Sequence, residues 1–212
     1  MYRGVSRMPA KYVLKEYSEH SYYHVFSRGV NKQRIFIDDS DKSKFISILK
    51  RHIDPNDKSI KSDGSKYRKF NEELTIVAYC LMNNHFHMMI KVRHRPEAMS
   101  DLFRATLTAF TMHFNWRHNR VGPLFQSRYK AKLIKTESHF LHLSRYIHLN
   151  PERYRSYSFS SLDHYLGHYR SDWIQSDEIL SIFGGPRKYL DFLQEYEHHR
   201  EELKYIKEYF EA

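Results

Sequence analysis

The sequence is poor in cysteine and contains no long apolar run. Cys80 is the single cysteine among 212 residues, so an internal disulfide framework and a zinc site with several cysteine ligands are excluded. No apolar stretch reaches the roughly 20 residues that a membrane-spanning helix needs. Residues 1–10 lack the apolar centre of a secretory signal. We therefore expect a protein of a reducing compartment that does not associate with membranes.

Several common catalytic motifs are also missing. The chain has no G-x-x-x-x-G-K-[ST] phosphate loop, no H-E-x-x-H metalloprotease pair and no G-x-S-x-G nucleophile turn. With one cysteine it also lacks the ligands of a deaminase-type zinc site. Cys80 itself lies in an apolar run, which indicates a small buried side chain. These absences disfavour nucleotide hydrolases, zinc peptidases, serine hydrolases and deaminases.

Positive charge is abundant but unevenly distributed. The formal net charge is +10, and residues 1–155 hold 29 basic and 14 acidic side chains against 6 and 11 in residues 156–212. A balance of this kind favours a polyanionic partner for the first part of the chain. The most basic segment, 117–135, has no acidic residue and includes Phe125 and Tyr129. These aromatics indicate either a surface that stacks bases or a solvated basic face above two core side chains.

Two hydrophobic periodicities define the expected elements. Alternation predicts strands at 21–28, 74–82, 85–92 and 129–134, and helical spacing predicts helices at 41–53, 96–118, 137–149, 175–183 and 186–210. Ser40 or Asp41 is the expected cap of the first helix. Asn83-Asn84 predicts a hairpin between the second and third strands. The order predicts an α+β fold in which helices pack on one face of an antiparallel sheet.

Two local patterns carry candidate chemistry. His85 and His87 lie two apart on a strand, so they share one face about 7 Å apart and can bind one metal ion. Tyr146 and Asn150 lie four apart on a helix and share its face, which can offer a nucleophile and a further ligand. Surface histidines and ordinary residues at a helix end are the alternative interpretations of the two patterns.

Four ordered blocks then resemble a known family. They are YHVFSRGVNKQRIF (23–36), LMNNHFHMMIK (81–91), GPLFQSRYKAKLI (122–134) and SRYIHLNPERY (144–154). Together they resemble the REP-associated tyrosine transposases, a branch of the single-tyrosine HUH transposases. The resemblance spans residues 22–166, and it departs from the family where Phe159 replaces a frequent tryptophan.

The resemblance implies a fold, a domain plan and a set of site residues. The fold is a ferredoxin-like antiparallel sheet, with an N-terminal extension at 1–20, the nuclease domain at 21–166 and a helical C-terminal extension at 167–212. Tyr146 takes the role of the nucleophile, and His85, His87 and Asn150 take the role of ligands to Mg²⁺ or Mn²⁺. His142, one turn before the tyrosine, is a candidate to help remove the phenol proton. Side chains that we expect to contact DNA phosphates are Arg28, Arg34, Arg128, Lys130 and Lys132.

The implied activity is cleavage and joining of single-stranded DNA that contains a hairpin, through a 5′-phosphotyrosine intermediate. A monomer is favoured over a dimer, and the bacterial cytoplasm, at the nucleoid, is the expected location. Three other functions remain open: a nucleic-acid-binding descendant without cleavage, an RNA-binding module, and a metal-dependent hydrolase that uses water. Tyr129 is the second candidate nucleophile.

Overall fold

The computed structural model describes residues 17–196. Its strands are β1 (Ser21–Arg28), β2 (Leu74–Met82), β3 (His85–Val92) and β4 (Lys130–Ile134). Its α-helices are α1 (Asp39–Ile53), α2 (Glu97–Arg117), α3 (Glu137–Leu149), α4 (Leu162–Tyr165), α5 (Asp177–Phe183) and α6 (Pro186–Gln194). The expected helix over 186–210 continues into residues that lie outside the described range. None of the helices within 17–196 combines the length and hydropathy that crossing a membrane requires.

The four strands form one antiparallel sheet in the order β2-β3-β1-β4. β2 and β3 form the hairpin that Asn83-Asn84 predicts, with Met82 opposite His85. β1 lies between β3 and β4, although both are distant from it in sequence. The β1–α1–β2 and β3–α2–β4 units are thus interleaved, which is the ferredoxin-like arrangement. The expected α+β class and antiparallel sheet are confirmed.

Helices α1 and α2 cover one face of the sheet and enclose the larger apolar core. Phe45 of α1, Phe86 of β3 and Phe110 of α2 are fully buried there. The Phe45 ring centroid lies 5.3 Å from that of Phe86 and 5.1 Å from that of Phe110. Close packing of large rings holds this layer together, because each buried aromatic removes a large apolar area from water.

Helix α3 lies on the opposite face, together with α5 and α6. The expectation that helices pack on one face therefore holds for α1 and α2 but not for α3. The physical reason is that β3 is apolar on both sides: Phe86 faces α1 and α2, whereas Met89 belongs to a second core with Ile147, Ile179 and Leu193. A strand with two apolar faces needs cover on both.

An ion pair joins the start of α1 to the end of α2. The side chain of Asp38 accepts a hydrogen bond from the backbone NH of Asp41, so Asp38 is the cap rather than Ser40 or Asp41. Arg117, at the end of α2, donates to the carboxylates of both Asp38 and Asp41. The cap residue is thus also bound by a cation that lies 79 residues away in the chain.

The aromatics of the basic segment 117–135 belong to the core. Tyr129 is 6% exposed, its ring lies 4.6 Å from that of Phe103, and its hydroxyl shares a 2.7 Å hydrogen bond with that of Tyr17. Phe125 packs against the same core. The base-stacking interpretation of these two side chains is therefore wrong, and the interpretation as core aromatics beneath a basic face is correct.

Gly29 ends β1 where two backbone segments approach closely. A Cβ atom at this position would lie 2.2 Å from the carbonyl oxygen of Gln33, which a larger residue could not accommodate without moving the backbone. The Gly29 NH donates to the carbonyl oxygen of Asn84 at 2.9 Å. This contact ties the loop after β1 to the turn of the β2–β3 hairpin, beside His85.

Candidate active site

Strand pairing places the candidate residues in rows on the α3 face of the sheet. His87 of β3 lies opposite Phe26 of β1, and Phe26 lies opposite Lys130 of β4. Arg28 pairs with His85 in the next row on that face. Paired residues of antiparallel strands carry their side chains on the same side of the sheet. The rings of His85 and His87 accordingly meet edge to face, with centroids 4.9 Å apart.

Tyr146 reaches the same place from α3. Its hydroxyl lies 3.3 Å from Nε2 of His87, and the two ring centroids are 5.1 Å apart. The side chain is 4% exposed. Leu143 and Ile147 on the same helix are fully buried in the second core, which turns this side of α3 towards the sheet. The phenol and the imidazole therefore meet within one chain.

His24 is a further residue of this site, and no sequence motif singles it out. It is fully buried on β1, and its Nε2 lies 2.9 Å from Nδ1 of His87. His87 is thus contacted at both ring nitrogens, by His24 and by Tyr146. Alternation along β1 puts His24 on the face of Phe26, but only the pairing of β1 with β3 brings it to His87.

Asn150 directly follows the last residue of α3. Its backbone angles remain helical, with φ −58° and ψ −42°, so it lies one turn beyond Tyr146 on the same side of the helix. It is half-buried. The structure therefore preserves the arrangement of carboxamide and phenol that the spacing of four residues predicts.

His142 occupies a different environment from Tyr146. Its ring centroid lies 6.2 Å from that of Phe192 and 6.4 Å from that of Tyr196, both in the C-terminal part of the described chain. Burial lowers the pKa of His142, which favours the neutral ring. The Tyr146 hydroxyl lies 3.3 Å from Nε2 of His87, whereas the ring contacts of His142 are with Phe192 and Tyr196.

A cleft of about 230 Å³ opens beside the histidines. The residues that line it are Phe26, Ser27, Arg28, His85, His87, Gln126, Ser127 and Lys130. Two of them, Arg28 and Lys130, are cations, and the Lys130 Nζ atom lies 5.6 Å from the centroid of the Phe26 ring. A cleft with imidazoles, hydroxyls and two positive charges is suited to a phosphate group.

The other expected DNA-contacting cations are more peripheral. Lys132 pairs with His24 across β4 and β1, so it lies on the α3 face. Arg128 is exposed just before β4. Arg34 is exposed in the loop after β1, and the two residues that follow it donate backbone hydrogen bonds to the Asn83 carbonyl oxygen. Lys132 therefore shares the sheet face of the cleft, and Arg34 lies in a loop tied to the hairpin turn beside His85.

A buried polar network supports α3 on the side away from the cleft. Nδ1 of His148 lies 2.7 Å from the Tyr189 hydroxyl, and Nε2 lies 2.8 Å from Oγ of Ser161. The Tyr189 hydroxyl donates to Oγ of Ser144 at 3.2 Å. Complete burial lowers the pKa of His148 to about 3, so the ring is neutral at neutral pH. The network joins α6 to the helix that carries Tyr146.

The fold has a counterpart of known structure. It is similar to the solved structure of a REP-associated tyrosine transposase bound to a REP hairpin, with a TM-score of 0.52 and 15% sequence identity. The match covers 76% of this chain and 88% of that chain. No family model and no curated protein matches the sequence. The likeness shows that the two chains share a fold, which is the fold that the four sequence blocks predict.

Proposed function

We propose that this chain cuts and joins single-stranded DNA beside hairpins, with Tyr146 as the nucleophile. The observation that carries the proposal is the contact between the Tyr146 hydroxyl and His87 at a cleft lined by Arg28 and Lys130. A phenol, an imidazole pair and phosphate-binding cations are the groups that such a reaction requires. The hairpin DNA in the solved structure of similar fold supports a hairpin as the partner.

Mg²⁺ or Mn²⁺ would be held by His85, His87 and Asn150. The two imidazoles at the cleft and the carboxamide one turn from Tyr146 leave open positions for water and for phosphate oxygens, and those oxygens are the ligands that Mg²⁺ and Mn²⁺ prefer. The contact of His24 with Nδ1 of His87 resembles the outer contacts that orient metal-binding histidines. When bound, the ion would polarise the scissile phosphate and offset its charge.

The other side chains of the site bind the DNA strand and carry out the chemical step. Arg28 and Lys130 bind phosphates and position the strand without reading its bases. The Tyr146 oxygen attacks phosphorus, the bond from phosphorus to the 3′-oxygen breaks, and a 5′-phosphotyrosine and a free 3′-hydroxyl result. A tyrosine has an ordinary pKa near 10, so the phenol proton must pass to a nearby acceptor such as water. Attack by a 3′-hydroxyl on the phosphotyrosine reverses the step and joins strands.

The contact between Tyr146 and His87 forms within one chain, which supports a monomer as the proposed active form. The proposed substrate also implies the place of action. A protein that cuts DNA hairpins is expected where the DNA is, in the bacterial cytoplasm at the nucleoid.

The deciding experiment is incubation of the protein with a panel of labelled DNA hairpins in Mg²⁺ or Mn²⁺, followed by denaturing electrophoresis. Tyr146→Phe should abolish the covalent adduct and leave hairpin binding within about twofold. Tyr129→Phe is the matched control, because Tyr129 is an equally buried phenol on the other face of the sheet. An adduct that survives in Tyr146→Phe would refute the assignment of the nucleophile.

The other outcomes distinguish the remaining functions. Cleaved product without an adduct would indicate a hydrolase that uses water, and binding without cleavage would indicate a descendant that only binds DNA. Preference for RNA hairpins in competition would indicate an RNA-binding module. Such modules stack bases on an open sheet, whereas α3 covers the face of the sheet that carries His87.

A further inference from the structure

A second group of metal-binding side chains lies at the other end of the sheet. Ser21, the first residue of β1, pairs with Val92, the last residue of β3, so the chain just before β1 meets the chain just after β3. Glu19, His20 and His94 occupy these two segments. His85 pairs with Arg28 at the opposite end of the same two strands, about 23 Å away by the rise of a strand.

The three side chains converge on one point. One carboxylate oxygen of Glu19 and one ring nitrogen each of His20 and His94 all lie within 4.8 Å of one another. The two imidazole rings meet edge to face at 86°, with centroids 5.7 Å apart. A four-coordinate ion with ligands at about 2.0–2.2 Å needs donor atoms roughly 3.3–3.6 Å apart. The donor atoms are now up to 4.8 Å apart, and small rotations of these exposed side chains would bring them to that distance.

The backbone explains how consecutive residues reach the same side. Adjacent side chains of an extended strand point to opposite faces. Glu19 and His20 instead form a turn, in which His20 has a φ of 55° and Oγ of Ser21 donates to the Glu19 carbonyl oxygen at 3.2 Å. The alternation therefore begins only at Ser21, and both preceding side chains remain available to His94.

The two arginines that flank His94 are engaged by other side chains, and Arg95 is offset by carboxylates. Arg93 donates to the side chain of Gln175 at 2.8 Å. Arg95 forms ion pairs with Glu73 at 3.4 Å and Asp101 at 3.1 Å. Both arginines that flank His94 are thus held by partners of their own.

We infer that Glu19, His20 and His94 form a second metal site, separate from the catalytic cleft, that takes a late first-row divalent ion such as Zn²⁺. Two imidazoles with one carboxylate favour Zn²⁺, Cu²⁺ or Ni²⁺ over Mg²⁺, which prefers oxygen ligands and several waters. The ion joins the start of β1 to the end of β3, so it stabilises the fold and leaves cleavage unchanged. The inference does not depend on the proposed function.

The test is a Co²⁺ titration of tag-free, metal-free protein, followed by visible absorption and by competition with Zn²⁺. Wild type and His87→Ala should both show the absorption of one low-coordinate Co²⁺, and Zn²⁺ should raise the Tm of both. His94→Ala and His20→Ala should lower the affinity for this Co²⁺ ion by at least about tenfold, which is the scale of loss when a metal site is disturbed. His168→Ala, which removes another exposed histidine, is the control and should bind as wild type does.

Two results would overturn the inference. One is Co²⁺ binding that persists unchanged in His94→Ala and His20→Ala. The other is Co²⁺ binding that is lost in His87→Ala alone, which would assign the bound ion to the catalytic cleft. Because all three ligands are exposed, each variant should fold, and equal melting curves in chelator would verify this. Failure to cleave DNA would count against the proposed function and not against this site.

Discussion

The two faces of the sheet are built in different ways. On the α1–α2 face, rings such as Phe45, Phe86 and Phe110 pack against one another in an apolar core. On the α3 face, buried imidazoles and hydroxyls contact one another around His87 and His148. The first face gains stability from packing. The second carries polar groups that cost free energy to bury, and hydrogen bonds such as those of His87 and His148 offset part of that cost.

A cavity on the apolar face should have the largest effect on stability. Phe86→Ala removes a fully buried ring that contacts Phe45 and Phe103. Loss of buried area and the residual cavity should lower the free energy of unfolding by about 3–5 kcal/mol. Urea unfolding measures this, with Met112→Ala as the control because Met112 is 68% exposed. A loss below about 1 kcal/mol would show that packing does not dominate this face.

A substitution on the polar face should affect activity more than folding. His24→Leu removes the contact with Nδ1 of His87 and keeps an apolar side chain in its place. Cleavage should fall by about 10–100-fold, as is usual when a partner of a metal-binding histidine is lost. Hairpin affinity should stay within about twofold, and added Mn²⁺ should restore part of the rate.

The prediction for His24→Leu has a control variant and a result that would contradict it. His168→Ala should cleave as wild type does, because His168 is exposed. A His24→Leu protein that cleaves normally at low metal concentration would show that His24 only fills space beside His87.

Disruption of the polar network behind α3 should have a smaller effect on stability. Tyr189→Phe removes the hydroxyl that contacts His148 and Ser144, which leaves buried polar atoms without that partner. The free energy of unfolding should fall by about 1–3 kcal/mol. Tyr169→Phe is the matched control, since Tyr169 is 54% exposed. Equal stability of the two variants would mean that water replaces the hydroxyl and that α6 does not support α3 through this network.

The smallest expected effect concerns charge at the cleft. Lys130→Ala should weaken hairpin binding similarly for all sequences and should reduce the slope of log affinity against log salt by about 1, as loss of one phosphate contact does. Lys61→Ala, in the exposed loop between α1 and β2, is the control for net charge. An unchanged salt slope in Lys130→Ala would place the DNA backbone elsewhere.

Several features follow from the sequence because they depend on neighbouring residues. Two-residue alternation puts His85 and His87 on one face, and helical periodicity puts Tyr146 and Asn150 on one side of α3. The β2–β3 hairpin follows from Asn83-Asn84. Each of these depends on backbone geometry over a few residues, so it can be predicted without knowing what the element packs against.

Other features depend on distant parts of the chain. Arg117 at the end of α2 forms an ion pair with the cap residue of α1, Asp38, and packing against Phe103 places Tyr129 in the core. The C-terminal part of the described chain is a similar case. Its charge balance, with 11 acidic and 6 basic side chains in residues 156–212, differs from that of the rest of the chain, yet Tyr189 lies in the same core as α3. Charge patterns describe the surface and cannot show which apolar faces meet.

The strands, most of the helices and the spacing of histidines, tyrosine and asparagine can be predicted from the sequence, because they follow from the periods of the strand and the helix. The position of β1 beside β3 and of α3 on the face opposite α1 and α2 becomes visible only in the folded chain. These two packing arrangements bring His24 and the Tyr146 hydroxyl to the two nitrogens of His87. They depend on which register and layering bury the most apolar surface across the whole chain, and no local pattern contains that information.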